Sequence, residues 1–196
     1  MGLFSALFGP PAPTNPAPRM RLLRYFCETS APPTDYTVLD LETSGLDACT
    51  CEILEIGAIR YRDHRAVGRY HTFVRPEGFI SREASRVNHI KWITVCKAPY
   101  LFDVSERLLE FLGDDVIVGF NVSFDMKFLQ TRLGRSISNP AFDVLTFVRN
   151  VEPNLPHCKL DDLRKHFSVG GIPHTALGDC MATAKVFQKC LSAVPF

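Results

Sequence analysis

The sequence YTVLDLETSGL, residues 36–46, places two acidic side chains inside an otherwise apolar run. Side chains along it alternate between two faces, a period of two that is typical of a β-strand. Asp40 and Glu42 therefore project from the same face, about 7 Å apart along the strand. Because a buried carboxylate is unfavourable without a compensating cation or hydrogen bond, this pair predicts bound cations. The separation suits two ions about 3.5–4 Å apart, the spacing of two-metal phosphoryl-transfer sites.

Two later motifs add acidic groups where helices are predicted to begin. NVSFD, residues 121–125, follows a short apolar strand and puts Asp125 in the first turn of a helix. HTALGD, residues 174–179, likewise puts Asp179 in the first turn of the last helix. Four converging carboxylates repel one another unless divalent ions lie between them. Oxygen-only ligands favour Mg²⁺ or Mn²⁺ over a structural zinc.

His174 lies on the loop that leads into the last helix, five residues before Asp179. This loop can place an imidazole near a metal-bound water, and imidazole is a suitable general base near neutral pH. Each motif alone has a simpler interpretation: a solvated strand face, a helix cap by Asn121 or Ser123, or a chance spacing. The three together, each at an element boundary, favour a catalytic site.

The remaining pattern predicts strands first and helices afterwards. A second strand runs through residues 53–62, a turn follows at 63–65, and a third strand spans about 68–74, so the first three form an antiparallel meander. A short buried strand is predicted at 116–120. Helices are predicted from a capping box at Asp103, after residue 121, around 160–167 with a stop at Gly170-Gly171, and along the C-terminal segment. This order implies a mixed sheet with helices against it.

The three motifs together resemble those of the DEDD superfamily of 3′-to-5′ exonucleases, in its histidine-containing branch, to which the proofreading epsilon subunits of bacterial DNA polymerase III belong. The resemblance covers about residues 35–194. It implies an α/β fold, a ribonuclease H-like mixed five-stranded sheet flanked by helices. It also implies metal-dependent removal of nucleotides from the 3′ ends of single-stranded DNA.

The resemblance assigns roles to individual residues. Two Mg²⁺ or Mn²⁺ ions are expected to be bound by four carboxylates, and His174 is expected to activate the attacking water. The expected metal ligands are Asp40, Glu42, Asp125 and Asp179. The residues expected to contact the substrate are Thr43, Gly45, Leu46, Asn121 and Phe124.

The sequence departs from this family at two places, neither of which is a metal ligand. Phe120 stands where a histidine is often found, and Asn88-His89-Ile90 replaces a His-Gly-Ile segment. Asp143 is predicted to order a loop near the site rather than to bind metal. For Phe79 and Trp92, core packing is predicted over stacking on a base.

Composition sets broader limits. The net charge of +1 provides no large basic field for gripping a long duplex, although a single strand held in a pocket remains compatible. Seven irregularly spaced cysteines indicate reduced thiols in a cytoplasmic protein. No apolar run approaches the roughly 20 residues that span a bilayer, so no membrane association is predicted.

Residues 1–34 are predicted to be a proline-rich N-terminal arm, and residues 35–196 the exonuclease domain. The Leu3-Phe4 and Leu7-Phe8 pairs of the arm either dock on a polymerase or sliding clamp or fold back on the domain itself. Two other functions stay open: an oligoribonuclease-like RNA exonuclease, and a non-catalytic module that serves a polymerase by contact. The sequence does not separate DNA from RNA, because the selecting group is a 2′-hydroxyl.

Overall fold

The computed structural model describes residues 32–193, which form five strands and seven helices. The strands are β1 (Tyr36–Thr43), β2 (Ile53–Arg62), β3 (Arg65–Phe73), β4 (Ile117–Gly119) and β5 (Ala141–Asp143). The helices are α1 (Arg82–Asn88), α2 (Trp92–Val95), α3 (Leu101–Leu112), α4 (Val122–Leu133), α5 (Val144–Val151), α6 (Leu160–His166) and α7 (Ala176–Ala193).

All five strands belong to one sheet, in the order β3-β2-β1-β4-β5. The first three strands pair antiparallel, whereas β1 pairs parallel with β4, and β4 pairs parallel with β5. The mixed five-stranded sheet is therefore confirmed. In the antiparallel register, Glu42 lies opposite Glu55 and Asp40 lies opposite Gly57, so the acidic face of β1 adjoins the middle of β2.

Helices cover both faces of the sheet, as the alternation of β1 predicts. Leu39 and Leu41 pack into a core with residues of α3 and α4. Tyr36 and Val38 pack on the opposite face, against residues of α5, α6 and α7. Asp40 and Glu42 continue this second face, which places them beside the start of α7.

Gly57 allows α7 to approach the sheet at that point. A Cβ atom added to Gly57 would lie 2.5 Å from the backbone carbon of Ala176, a distance that excludes any side chain. The start of α7 therefore lies directly on β2, opposite Asp40. This close approach brings the first turn of α7, with Asp179, to the acidic face of β1.

Several predicted boundaries were wrong. β3 begins at Arg65 rather than near residue 68, because Asp63 and His64 adopt positive φ and form a tight turn that pairs Arg62 with Arg65. The helix α3 begins at Leu101, so Asp103 is the third residue of the helix and lies within its first turn.

There the Asp103 carboxylate accepts a hydrogen bond of 3.0 Å from the backbone N–H of Tyr100. The helix α6 ends at His166, before Gly170-Gly171, because the chain turns at Ser168 with a φ of 53°. The short elements β5, α1, α2 and α5 were not predicted.

No helix between residues 32 and 193 combines the length and apolar character needed to cross a membrane. The predicted N-terminal arm, with its Leu-Phe pairs, lies almost wholly outside the described residues. Its docking role and the domain boundary near residue 34 stay predictions.

Candidate active site

Three of the predicted metal ligands meet at one point of the fold. Asp40 and Glu42 extend from β1, and Asp179 extends from the first turn of α7. Each contributes one carboxylate oxygen to a group whose members lie within 4.8 Å of one another. This is close enough for a single small cation to contact all three.

Asp125 lies next to this group but is not a member of it. Its side chain is buried, and one carboxylate oxygen accepts a hydrogen bond of 3.0 Å from the backbone N–H of Leu41, between the two acidic residues of β1. The hydrogen bond fixes the first turn of α4 against β1.

The turn from β4 into α4 is held by Asp143. Asn121, which precedes α4, has a left-handed backbone with a φ of 59°, and its backbone N–H donates to Asp143 at 2.7 Å. The Asp143 carboxylate also accepts from Leu145 and Thr146 at the start of α5. Asp143 thus orders this loop, as predicted from the sequence, and thereby positions Asp125.

Burial and repulsion between neighbouring carboxylates make the ionised forms of these acidic residues unfavourable. Burial, together with the charges of Asp125, Asp179 and Glu42, raises the pKa of Asp40 well above its ordinary value. Burial also raises the pKa of Asp125, outweighing the hydrogen bond from Leu41. The pKa of Glu42 rises to about 7 through burial and the charges of Asp179 and Glu55. Such a group is stabilised in its ionised form by a cation.

One guanidinium reaches the acidic group. Arg164, on α6, is almost fully buried and donates a hydrogen bond to the backbone carbonyl of Gly178 at 2.9 Å and another to the carboxylate of Asp179. Burial raises the pKa of Asp179, and the neighbouring Arg164 partly offsets that rise. Arg164 therefore compensates one of the four carboxylates, and the other three have no ion-pair partner between residues 32 and 193.

His174 lies at the end of the loop before α7, in a left-handed conformation with a φ of 57°. Its Nε2 atom is 3.4 Å from a carboxylate oxygen of Asp161, on α6. The other carboxylate oxygen of Asp161 lies 3.7 Å from Nε of Arg164. Asp161 therefore connects the histidine with the arginine that contacts Asp179.

The sequence analysis missed Asp161 and Arg164. Their spacing of three residues in the predicted helix near residues 160–167 indicates an ion pair on one helix face. It does not indicate that the pair reaches across to α7, because that contact depends on how two helices pack. Asp161 and Arg164 lie beside the HTALGD motif because the short helix α6 packs there.

A hollow of about 310 Å³ opens next to the carboxylates. Of the five residues predicted to contact substrate, four line it: Thr43, Gly45, Leu46 and Phe124. Asn121 does not line it. The opposite wall comes from α1, which the sequence analysis did not predict, and includes Glu83, Val87 and Asn88.

The walls of this hollow combine one fixed loop with one exposed apolar side chain. The Thr43 hydroxyl donates to the carbonyl of Gly45 at 2.6 Å, and Leu46 is 86% exposed beside it. The Asn88 amide donates to the carbonyl of Thr43 at 3.2 Å, which ties α1 to β1. The hollow therefore offers an apolar surface next to the acidic group.

Glu55 is nearby but has a structural partner. It is 3% exposed, and its carboxylate is 2.7 Å from Nε2 of His71 on β3.

Comparison with known proteins agrees with this geometry. Residues 37–187 match the RNase T model, described as exonuclease. The chain belongs to this exonuclease family. Members of this family are metal-dependent nucleases, and the acidic group of this chain is of the kind that holds metal in them.

The relatives of this chain include DNA polymerase III proteins. It is 34% identical over 161 residues to a PolC-type DNA polymerase III of Caldanaerobacter subterraneus subsp. tengcongensis, covering 80% of this chain and 12% of that protein. It is 29% identical over 167 residues to the DNA polymerase III epsilon subunit of Aquifex aeolicus, covering 82% of each. The chain thus spans only about an eighth of the length of the PolC-type relatives.

Solved structures show the same fold. Exonuclease X, in complex with 5′ overhanging duplex DNA, superposes with a TM-score of 0.68 at 25% identity, over 80% of this chain and 91% of that one. Escherichia coli exonuclease I in complex with a dA16 oligonucleotide superposes with a TM-score of 0.67 at 18% identity, over 80% of this chain and 41% of that one. These matches confirm the predicted fold class.

Proposed function

We propose that this exonuclease removes nucleotides from the 3′ ends of single-stranded DNA by metal-assisted hydrolysis. The observation that carries the proposal is the group of three carboxylates within 4.8 Å, beside a hollow with apolar walls. The carboxylates suit the reacting phosphate with its ions, and the hollow suits the terminal nucleotide. No other part of the described chain combines the two features.

The donor atoms fit two Mg²⁺ or Mn²⁺ ions held by Asp40, Glu42, Asp125 and Asp179. All are carboxylate oxygens, the ligand type these hard ions prefer. Raised pKa values at the site also mean that the ionised carboxylates gain free energy when a cation binds. When bound, such ions would polarise the phosphate and lower the pKa of the attacking water.

His174 is the general base in this proposal. Water attacks the phosphorus, the imidazole accepts its proton, and the bond from phosphorus to the 3′ oxygen of the preceding nucleotide breaks to release a nucleoside 5′-monophosphate. The Asp161 carboxylate, 3.4 Å from Nε2 of His174, helps orient the ring. The charge of His174 is one of those that lower the pKa of Asp179, which supports a place for the imidazole near the acidic group.

The terminal base packs between Leu46 and Phe124 in this proposal. Leu46 is exposed in the structure, so a base stacked on it removes apolar surface from water. To enter the hollow, a paired 3′ end must first separate from its partner strand and leave its stack, which costs free energy. A single strand avoids that cost and is the preferred substrate.

The test compares labelled oligomers of the same sequence in DNA and RNA, with Mg²⁺ and with excess chelator. We expect stepwise loss of nucleotides from the 3′ end of single-stranded DNA, dependent on the ion, and slower loss from blunt duplex. Faster cleavage of RNA would instead indicate the oligoribonuclease-like alternative. Absence of cleavage from both, with intact folding, would indicate the non-catalytic polymerase module.

A polymerase is the proposed context, since the relatives are polymerase chains and a polymerase subunit. A sliding clamp or polymerase would be contacted through the segment before residue 32, outside the described structure. Co-purification of a truncated chain, residues 32–196, with a candidate polymerase tests this. Retention of the complex by the truncated chain would rule out the arm as the contact.

A further inference from the structure

A second, larger hollow lies on the other side of α1 from the one beside the carboxylates. Its volume is about 700 Å³. The two hollows share Ser81, the residue that caps the start of α1. The second hollow, called the groove, is also lined by Glu77, Phe79, Arg82, Arg86, Lys91 and Trp92.

The aromatic side chains of this groove face solvent, contrary to the prediction of core packing. Phe79 is fully exposed and Trp92 is 50% exposed. Two large aromatic rings left in water on one wall of a hollow are unfavourable unless something covers them. Phe79 and the face of Trp92 that Arg75 does not cover are available for stacking.

The charges around these rings are mostly positive. Arg82, Arg86 and Lys91 are exposed, and none of the three forms an ion pair with any described residue. Glu77 is the only acidic residue that lines the groove. Although the whole chain is nearly neutral, this groove therefore favours a polyanion.

The groove is also held in shape. The carboxylate of Glu52 accepts hydrogen bonds from the backbone N–H groups of Glu77, at 2.9 Å, and Gly78, at 2.6 Å, which fixes the loop that carries Phe79. The guanidinium of Arg75 lies 5.7 Å from the ring of Trp92, so one face of that ring is supported. Fixed rings lose little conformational freedom when a ligand stacks on them.

We propose that this groove binds the single strand leading to the 3′ end, with bases stacked on Phe79 and Trp92 and phosphates near Arg82, Arg86 and Lys91. Stacking rings with interspersed cations are the pattern by which proteins hold single strands without reading sequence. The proposal rests on the proposed function, since it takes the terminal nucleotide to occupy the first hollow.

The strand reaches the groove by passing the end of α1 at Ser81. A helix with its side chains is about 10 Å across, so a strand must extend several nucleotides beyond the terminal one to reach the rings. A dinucleotide therefore fills only the first hollow, whereas a decamer also fills the groove. Length of the oligomer separates the two sites.

Trp92 is the only tryptophan of the chain, so its fluorescence reports on the groove directly. The probe is oligothymidylate with phosphorothioate linkages at its 3′ end, which resists hydrolysis during titration in Mg²⁺. We expect the decamer to quench Trp92 emission and the dinucleotide to leave it unchanged. A decamer that competes for the active site without changing Trp92 emission would overturn the proposal.

Phe79→Ala and the double variant Arg82→Ser with Arg86→Ser test affinity. We expect Phe79→Ala to weaken decamer binding roughly tenfold, the usual value for one base stacked on an aromatic ring. The double variant should weaken binding and reduce its dependence on salt. The matched control is Phe102→Ala, because Phe102 is 87% exposed but lines neither the groove nor the first hollow.

Hydrolysis of a mononucleotide ester, p-nitrophenyl thymidine 5′-phosphate, separates the two proposals. If the unmodified chain does not hydrolyse the ester, the proposed function fails. If it does, and Phe79→Ala binds the decamer as tightly as Phe102→Ala does, the groove proposal alone fails. Quenching of Trp92 that requires residues 1–31 and no oligomer would show instead that the arm fills the groove.

Discussion

Buried or half-buried carboxylates lie near both ends of β1, but those near its start have cationic partners and those near its end do not. Near the first residues of the strand, Asp115 accepts hydrogen bonds from Thr37 at 2.6 Å and Arg62 at 2.8 Å, and lies 3.3 Å from Nε of Arg60. Near the last residues, Asp40 and Glu42 have no guanidinium or ammonium partner in the described chain.

The pKa values follow this difference. Burial alone would raise the pKa of Asp115, but the hydrogen bonds from Thr37 and Arg62 and the charges of Arg62 and Arg60 hold it below its ordinary value. The pKa values of Asp40, Glu42 and Asp125 are all raised. A carboxylate with a structural role is supplied with cations by the chain itself. The acidic group beside α7 is proposed instead to be completed by divalent cations from solution.

The largest expected effect comes from removing one charge at each end. Asp40→Asn should abolish detectable cleavage of single-stranded DNA, because it removes a proposed metal ligand. It should also stabilise the metal-free fold, since it removes repulsion among the remaining carboxylates. Asp115→Asn should retain cleavage but lower the free energy of unfolding by about 1–3 kcal/mol, because it weakens a hydrogen-bonded ion pair.

Both variants are compared by nuclease assay and by denaturation in chelator, with the unmodified chain as reference. The comparison between the two ends would be broken if Asp40→Asn destabilised the metal-free fold as much as Asp115→Asn does. In that case the acidic group would be a structural element that happens to resemble a metal site.

His174→Ala should lower the rate of cleavage by about 10²–10⁴, the usual contribution of a general base. Because His174 is not part of the acidic group, binding of the ions should be retained. Isothermal titration with Mn²⁺ measures that binding independently of turnover. Loss of metal binding in this variant would make His174 a ligand rather than a base.

The sequence was sufficient to predict the acidic group because each member stands at an element boundary that sequence defines well. A strand with alternating apolar residues fixes the side on which Asp40 and Glu42 project. Asp125 and Asp179 each follow a segment that ends at a recognisable helix start. The mixed sheet followed from the order of the predicted elements, whereas its fifth strand followed only from the motif resemblance, because the pattern indicated four strands.

What the sequence did not predict depends on contacts between distant segments. The strand β5 has three residues, too few for a period of two to be visible, and α5 begins directly after it. Arg164 reaches Asp179 only because α6 packs on α7. Phe79 looks like a core residue in sequence, and only the fixed loop around it shows that it faces solvent.

Changing the pH should change the stability of the site end of β1 in a defined direction. Between pH 4.5 and about 7, the folded protein keeps a proton on Glu42 that the unfolded chain has already released. The free energy of unfolding in chelator should therefore fall as the pH rises through this window, by about 3 kcal/mol from Glu42 alone.

Saturating Mg²⁺ should remove this decline, because the ion stabilises the ionised carboxylates. Thermal melts across the window, with chelator and with Mg²⁺, measure both effects. Glu55→Gln provides the matched variant, because the charge of Glu55 is one of those that raise the pKa of Glu42. A metal-free stability that rises with pH between 5 and 7 would contradict the raised pKa.

The smallest expected effect concerns Asp161, whose carboxylate is shared between an imidazole and a guanidinium. At the Asp115 end, shared contacts of this kind hold a fixed charge in place, whereas Asp161 is proposed to orient His174. Partners that orient a catalytic or ligating histidine typically contribute about 10–100-fold. Because the distance to Nε2 is 3.4 Å and Asp161 is 43% exposed, we expect the low end, about a tenfold lower kcat for Asp161→Asn.

A positioning role requires that the loss appear in kcat with KM unchanged, and that Asp161→Glu recover part of it. The neighbouring Asp162→Asn is the matched control, because Asp162 is also in the first turn of α6 but makes no ion pair with any described residue. If Asp161→Asn instead lowered the melting temperature and left kcat intact, Asp161 would resemble Asp115. Its contact with Arg164 would then be a structural ion pair, and His174 would be held by the backbone of its loop alone.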